Sequence, residues 1–122
     1  MLVYHDQVEQ WVLPGGETAP EEGFREATAR ELAEEAGLDG TYHGLGLLGR
    51  VTIRSGDHHV WGVLPIFEAF AKSERPVVSD PDDEITDARW FADLPADTRD
   101  RAHLQTWRDR RLGPDGDTPA EW

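Results

Sequence analysis

The sequence predicts a single α/β domain, and three features of its 122 residues support this. Short runs rich in β-prone residues recur along the chain, the stretch from about Gly23 to Ala36 is dense in Ala, Glu, Leu and Arg, and a second helical pattern follows near the C-terminus. The length suits one domain with a real but modest core.

In chain order, Leu2–His5 is a short strand and Asp6–Glu9 a turn. Trp11-Val12-Leu13 is an apolar run, followed by Pro14-Gly15-Gly16, a loop able to take tight backbone geometry. Gly23 with Glu26 is one N-cap arrangement for the first helix; Thr18 with Glu21, and Pro20 in a first turn, is the competing one. Gly37 is placed to stop that helix. Residues 41–54 give a glycine-punctuated apolar run and then an alternating strand, Arg50–Arg54. Ser55-Gly56-Asp57 turns the chain into a long strand, His58–Phe70, so that a hairpin is predicted across it. Val60, Leu64 and Ile66 share one face of that strand, and Trp61, Val63 and Phe67 the other. Two apolar faces predict a central strand, with Pro65 needing a bulge or an edge. Residues 72–87 are polar and turn-rich, Ala88–Phe91 is a strand, and Thr98–Leu112 a second helix carrying Leu104 and Trp107. The domain is therefore drawn at residues 1–112, and 113–122 as a polar tail expected to be mobile.

Composition excludes several classes. Without cysteine there are no disulfides and no thiolate metal sites. No apolar run approaches a membrane span, and no basic-then-apolar leader opens the chain, so the cytoplasm is the expected compartment. Twenty-five Asp plus Glu against 12 Lys plus Arg give a net charge of −13. Lys72 is the only lysine. An acidic, lysine-poor surface fits a halophilic protein, in which salt screens self-repulsion; an arginine-favouring, GC-rich genome is the plainer alternative. The charge argues against duplex nucleic acid as a partner, which demands a cationic face.

The chemistry concentrates in one segment, GETAPEEGFREATARELAEEAGL, residues 16–38. On a helix Glu31, Glu34 and Glu35 fall at i, i+3 and i+4, with small Ala27 one turn earlier on the same face. Like charges so spaced repel by roughly 0.2–0.5 kcal/mol per pair. A solvated acidic face would tolerate that. Convergent carboxylates would equally suit a hard cation with oxygen ligands, for which Mg2+ is the default.

The spacing Gly16-x5-Glu22-x7-Arg30-Glu31-Leu32-x-Glu34-Glu35-x-Gly37-Leu38 resembles the signature of the Nudix hydrolases at every specified position. The resemblance implies a Nudix-like α/β/α sandwich with a mixed sheet flanked by the two helices. It favours Gly23 as the helix start. It implies Mg2+-dependent hydrolysis of a nucleoside diphosphate linked to another group, with Mn2+ as an alternative metal. Carried over residue by residue, Glu31, Glu34 and Glu35 become metal ligands, with Glu22 supporting or completing the site. Arg30 orients Glu31 and its neighbours, and one of the acids, or a carboxylate from a later loop, serves as general base. Gly16 and Gly37 become backbone-geometry residues. The metal would neutralise pyrophosphate oxygens and acidify the attacking water. The family also places a strand before the equivalent of Leu2–Tyr4. The chain begins too late to contain it, which implies a start codon downstream of the true one, or a sheet that is reduced or completed by a partner. A homodimer would be one such completion.

Outside the signature the pointers are weaker. Glu84, in Asp82-Asp83-Glu84-Ile85, resembles the family's loop acid, with Asp82, Asp83 and simple solvation as rivals. His58 could line the mouth of a substrate site, or be surface polarity; His58 and His59 point to opposite faces and would not share an ion. Trp61 and Phe67 could stack on a base, or fill a core. Subfamilies cleaving ADP-ribose tend to carry a proline where this chain has Ile53 and Arg54. Those cleaving dinucleoside polyphosphates carry a tyrosine near 54–56, here Arg-Ser-Gly. Neither marker is present, which leaves nucleoside triphosphates as the expected substrate class. A catalytically inactive nucleotide-binding domain is the main rival, though such domains usually lose motif carboxylates. A metal-dependent isomerase is the third reading, and would need further acid and base groups.

Overall fold

The computed structural model describes residues 1–112. Seven elements follow in order: β1 (Leu2–His5), β2 (Gln10–Val12), α1 (Phe24–Ala36), β3 (Gly40–Ser55), β4 (His58–Ala71), β5 (Ile85–Arg89) and α2 (Arg101–Leu112). The fold is α/β, with the strands divided between two sheets. One has the order β2-β1-β5 and the other is the β3–β4 pair. All strand pairings within them are antiparallel, with Val3 opposite Val12 on one side of β1 and Ala88 on the other. The parallel contribution expected of a mixed sheet is the bridge between Trp11 and Thr98.

The core lies where α1 meets the three-stranded sheet. Val3, Val12, Ala36, Leu38, Ile85 and Ala88 are buried together, with Met1, Leu32 and Val78 packed against them. These are the inward positions of short strands and the C-terminal end of the helix, so burial fixes where α1 sits along the sheet.

The limits of α1 follow from its glycines. Gly23 is the extended N-cap, and its carbonyl accepts the Ala27 N–H at 3.0 Å. The competing capping box is not used: Glu22, rather than Glu21, reaches back to the Ala19 N–H at 2.9 Å. Gly37 ends the helix in the left-handed conformation at φ 64. A Cβ at Gly37 would collide with the Val77 carbonyl, so glycine is required for both dihedral angle and space. The chain following β4 uses that space. The Val77 N–H donates to Ala36 O at 2.7 Å and the Ser79 N–H to Glu34 O at 3.1 Å. Two carbonyls that the helix end would leave unpaired are thereby satisfied from a loop forty residues on.

β3 is longer than the sequence predicts, because the glycine-punctuated run continues the strand through two register shifts, at Tyr42/Gly44 and Leu45/Leu47. β3 and β4 pair from Gly40–Ala71 to Ser55–His58 as a long two-stranded ribbon. β4 is not a central strand. Its two apolar faces are largely exposed, with Trp61 63% accessible and Leu48 opposite Pro65 64%. Pro65 is accommodated because β4 is paired on one side only. The second helix begins at Arg101 and not Thr98. Thr98 is buried against β2, where the Trp11 N–H donates to Asp97 O and the Arg99 N–H to Trp11 O, so this backbone is spent on the sheet. The polar tail at 113–122 lies outside the described residues.

Candidate active site

The signature segment folds as strand, loop and helix, and its polar residues collect around one guanidinium. Arg30 Nε donates to Glu22 Oε2 at 2.9 Å and Nη2 to Glu22 Oε1 at 3.0 Å, a bidentate pair. Nη1 donates to Glu31 Oε1 at 2.9 Å and more distantly to Glu34 Oε2 at 3.4 Å. Nη2 also reaches the Glu17 carbonyl at 3.1 Å. One cation therefore links the acid that precedes α1, two acids on it, and the loop from β2. The Arg30 bond and the Ala19 N–H bond hold Glu22 down at about 2, and Glu22 in turn raises Arg30 above its ordinary value.

Glu35 differs from the others. It is 8% exposed, and its Oε2 accepts the Gly15 N–H at 2.9 Å. Burial raises its carboxyl to about 7 against that bond, and the charges of Glu31, Asp80 and Glu34 add to the rise. Glu31 is also raised by burial, with Arg30 opposing. Gly16 lies against Glu31: a Cβ there would stand 2.6 Å from Glu31 Oε1. The Gly15-Gly16 pair thus serves two carboxylates, one by its amide and one by its missing side chain. Ala27, the small residue on the same helix, is buried.

Among the described residues no three His, Asp or Glu side chains converge closely enough to hold a metal ion as they stand. Their chemistry fits a hard divalent cation all the same. The available donors are carboxylate oxygens, with three of the carboxylates inside a five-residue span of one helix, and Glu35 is buried with a neutral partner where a charge of opposite sign would lower its cost. Glu31 and Glu34 are the natural partners of such a cation, with Glu22 tied to them through Arg30.

Among the described residues, the later candidates make no ion pair with that group. Glu84 lies where the loop enters β5, its carboxylate 3.4 Å from His5 Nε2. Asp82 and Asp83 are exposed in the preceding turn. His58 opens β4 at the turn end of the ribbon, and Trp61 carries the Arg50 guanidinium 5.0 Å from its ring. Phe67 is nearer the ribbon's base, edge-on to Tyr42, whose ring lies under Arg25 of α1. Nine positions of extended strand separate His58 from Phe67, about 30 Å.

Two participants were not singled out by sequence reasoning. The sequence around Gly15 signals only a loop, and only the fold turns its amide toward Glu35. Asp80 belongs to a polar, turn-rich stretch of sequence, yet its charge acts on both Glu31 and Glu35. The Ser-Asp-Pro sequence around it signals a turn, but not that the turn lies beside α1.

The NUDIX domain family matches residues 3–107. Among solved structures, the crystal structure of MutT protein from Methanosarcina mazei Go1 is similar, with a TM-score of 0.61 at 22% identity over 89% of this chain and 82% of that one. That likeness establishes the fold. No curated protein matches.

Proposed function

Since the chain belongs to the Nudix family, whose domain spans nearly all of its described residues, we propose that it is a Mg2+-dependent pyrophosphohydrolase acting on a nucleoside diphosphate derivative, a nucleoside triphosphate above all. The observation that supports this most is the buried Glu35 set beside Glu31 and Glu34 on α1, with Arg30 and Glu22 bracing the group.

When bound, the metal supplies positive charge to the pyrophosphate oxygens and acidifies the attacking water. Glu31, Glu34 and Glu35 are the proposed ligands, with Glu22 completing the set or holding Arg30. Arg30 keeps Glu31 and Glu34 oriented, so that little reorganisation is needed as the substrate arrives. Glu84 is the proposed general base: it takes the proton of the water whose oxygen bonds to phosphorus while the anhydride P–O bond breaks. His58, Trp61 and Phe67 are the proposed substrate contacts along the ribbon. Mn2+ would serve in place of Mg2+.

The proposed partners are a nucleotide and a second copy of the chain; the net charge of −13 argues against duplex nucleic acid. No helix among the described residues is long and apolar enough to cross a membrane, and the proposed setting is a cytoplasm, a salt-rich one given the charge of −13.

The test is turnover of NTPs, dNTPs, oxidised dNTPs, ADP-ribose, NADH, nucleotide sugars and dinucleoside polyphosphates with Mg2+ in molar KCl, beside Glu35→Gln. Mg2+-dependent release of phosphate, pyrophosphate or a nucleoside monophosphate, lost in the variant, is the expected result. Folded protein that binds the nucleotides and cleaves none would instead favour an inactive binding domain.

A further inference from the structure

Glu84 enters β5 from a turn that Asp80 fastens. Asp80 Oδ2 accepts the N–H of Glu84 at 2.8 Å and of Ile85 at 3.0 Å, and Oδ1 accepts the N–H of Asp82 at 3.2 Å. Its carbonyl accepts the Asp83 N–H at 3.2 Å, across a turn in which Asp83 takes the left-handed φ of 57. The carbonyl of Glu84 is fixed in turn by the Asp6 N–H at 2.9 Å. Both backbone polar groups of Glu84 are thus held, one of them by Asp80.

The same turn is referred to α1. Immediately before Asp80, the Ser79 N–H bonds to Glu34 O, and two residues earlier the Val77 N–H bonds to Ala36 O. A short hydrogen-bonded path therefore runs from the helix that carries Glu31, Glu34 and Glu35, through Ser79 and Asp80, to Glu84. Asp80 is an expensive choice for a turn residue here. Its negative charge raises the carboxyls of Glu31 and Glu35, and a neutral residue would avoid that. Only an ionised carboxylate, however, accepts on both oxygens with no donor of its own, as three converging N–H groups require. The like charge is tolerated for the sake of the turn.

We propose that Asp80 is a positioning residue that sets Glu84 relative to the α1 carboxylates. The inference rests on the hydrolase reading and on the role assigned there to Glu84.

The experiment compares Asp80→Asn, Glu84→Gln and the double variant, using ATP, GTP and their deoxy forms with Mg2+, together with amide hydrogen exchange. An amide in place of the carboxylate leaves N–H facing N–H. The expected result is a kcat about 10–100-fold lower in Asp80→Asn, the scale of a misplaced catalytic group. The kcat is read at saturating Mg2+, because removing the Asp80 charge also acts on Glu31 and Glu35. The double variant should be no slower than Glu84→Gln. The amides of Glu84 and Ile85 should exchange at least ~10-fold faster, and those within α1 at the wild-type rate. Multiplying losses in the double variant, or unchanged protection at Glu84 and Ile85, overturn the proposal. Wild-type turnover by Asp80→Asn alongside a slow Glu84→Gln overturns it while leaving Glu84 in place; wild-type turnover by Glu84→Gln removes both. If the wild-type chain cleaves none of these nucleotides, the hydrolase reading fails for them and amide exchange alone decides whether Asp80 holds the turn. Should Asp80→Asn not fold, Asp80→Glu shifts the same charge by one methylene and carries the same comparison.

Discussion

The Gly15 amide donates to Glu35 Oε2 at 2.9 Å, giving the one buried charged side chain among the described residues a neutral partner. Because burial lifts this carboxyl to about 7, ionising it in the folded state opposes folding. Its contribution to stability is full below the ordinary value of 4.5 and is lost as pH rises through 7, a difference of roughly 3 kcal/mol at most. Metal-free Glu35→Gln should therefore melt higher than the wild type at pH 8 and alike at pH 4. Adding Mg2+ at pH 8 should raise the wild-type melting temperature and leave the variant's unmoved. Equal melting of the two metal-free proteins from pH 5 to 8 would contradict the burial argument.

Gly16→Ala separates fold from chemistry. The added Cβ meets the far end of the Glu31 side chain at 2.6 Å, and Gly16 is itself exposed, so Glu31 can swing away without disturbing the backbone. Stability should change by no more than about 0.5 kcal/mol, while kcat falls on the order of 10–100-fold. Thermal melts beside turnover check both halves; a large loss of stability would mean that the loop, not Glu31, had moved.

Arg30→Lys keeps the charge and removes the fork. A single ammonium cannot reach Glu22, Glu31, Glu34 and the Glu17 carbonyl in the geometry Arg30 uses. Mg2+ affinity measured by calorimetry should weaken about 10–100-fold, as for other groups that orient metal ligands. An unchanged affinity would show that Glu31 and Glu34 find their geometry without it.

The ribbon should drive self-association. Leu48, Trp61 and Val63 lie on one face, and Val51, Val60 and Leu64 on the other, all exposed. A bare two-stranded hairpin of this length is marginal in water. The ribbon carries Arg50 and Arg54 on a chain with net charge −13, so a second copy offers it opposite charge. Light scattering should report a dimer at micromolar concentration, and Leu48→Asp should shift it toward monomer. A wild-type monomer at all concentrations would refute this.

Much of the local structure was legible because it rests on local physics. Gly23 and Gly37 delimit α1 as their helix-boundary roles predict, and the hairpin turn falls at Ser55–Asp57. The faces of β4 follow from its alternation but their burial does not: alternation reports which side chains share a face, not what covers it. α2 starts late because Thr98 has a partner in β2, a contact between distant segments that spacing cannot reveal. The same holds at the site. Glu31, Glu34 and Glu35 could be read from one helix, whereas Gly15 and Asp80 reach them only through the fold. Family membership accounts for the signature; where Glu84, His58, Trp61 and Phe67 act is a matter for the experiments above.

The ribbon leaves and rejoins the domain at one place. Gly40 pairs with Ala71, the Lys72 N–H returns to Asp39 O, and five residues later Val77 reaches back to Ala36. Beyond its base, where Arg25 donates to Tyr42 O and Arg111 to Glu68, the ribbon is an excursion that could be trimmed from its tip by equal lengths on each arm without altering the register below. Ribbon length is thus a variable the chain can change independently of the carboxylates. The carboxylates and the tip residues proposed to contact substrate, His58 and Trp61, sit on separable parts, so a lineage could retune selectivity by lengthening or shortening a hairpin while its chemistry stays fixed.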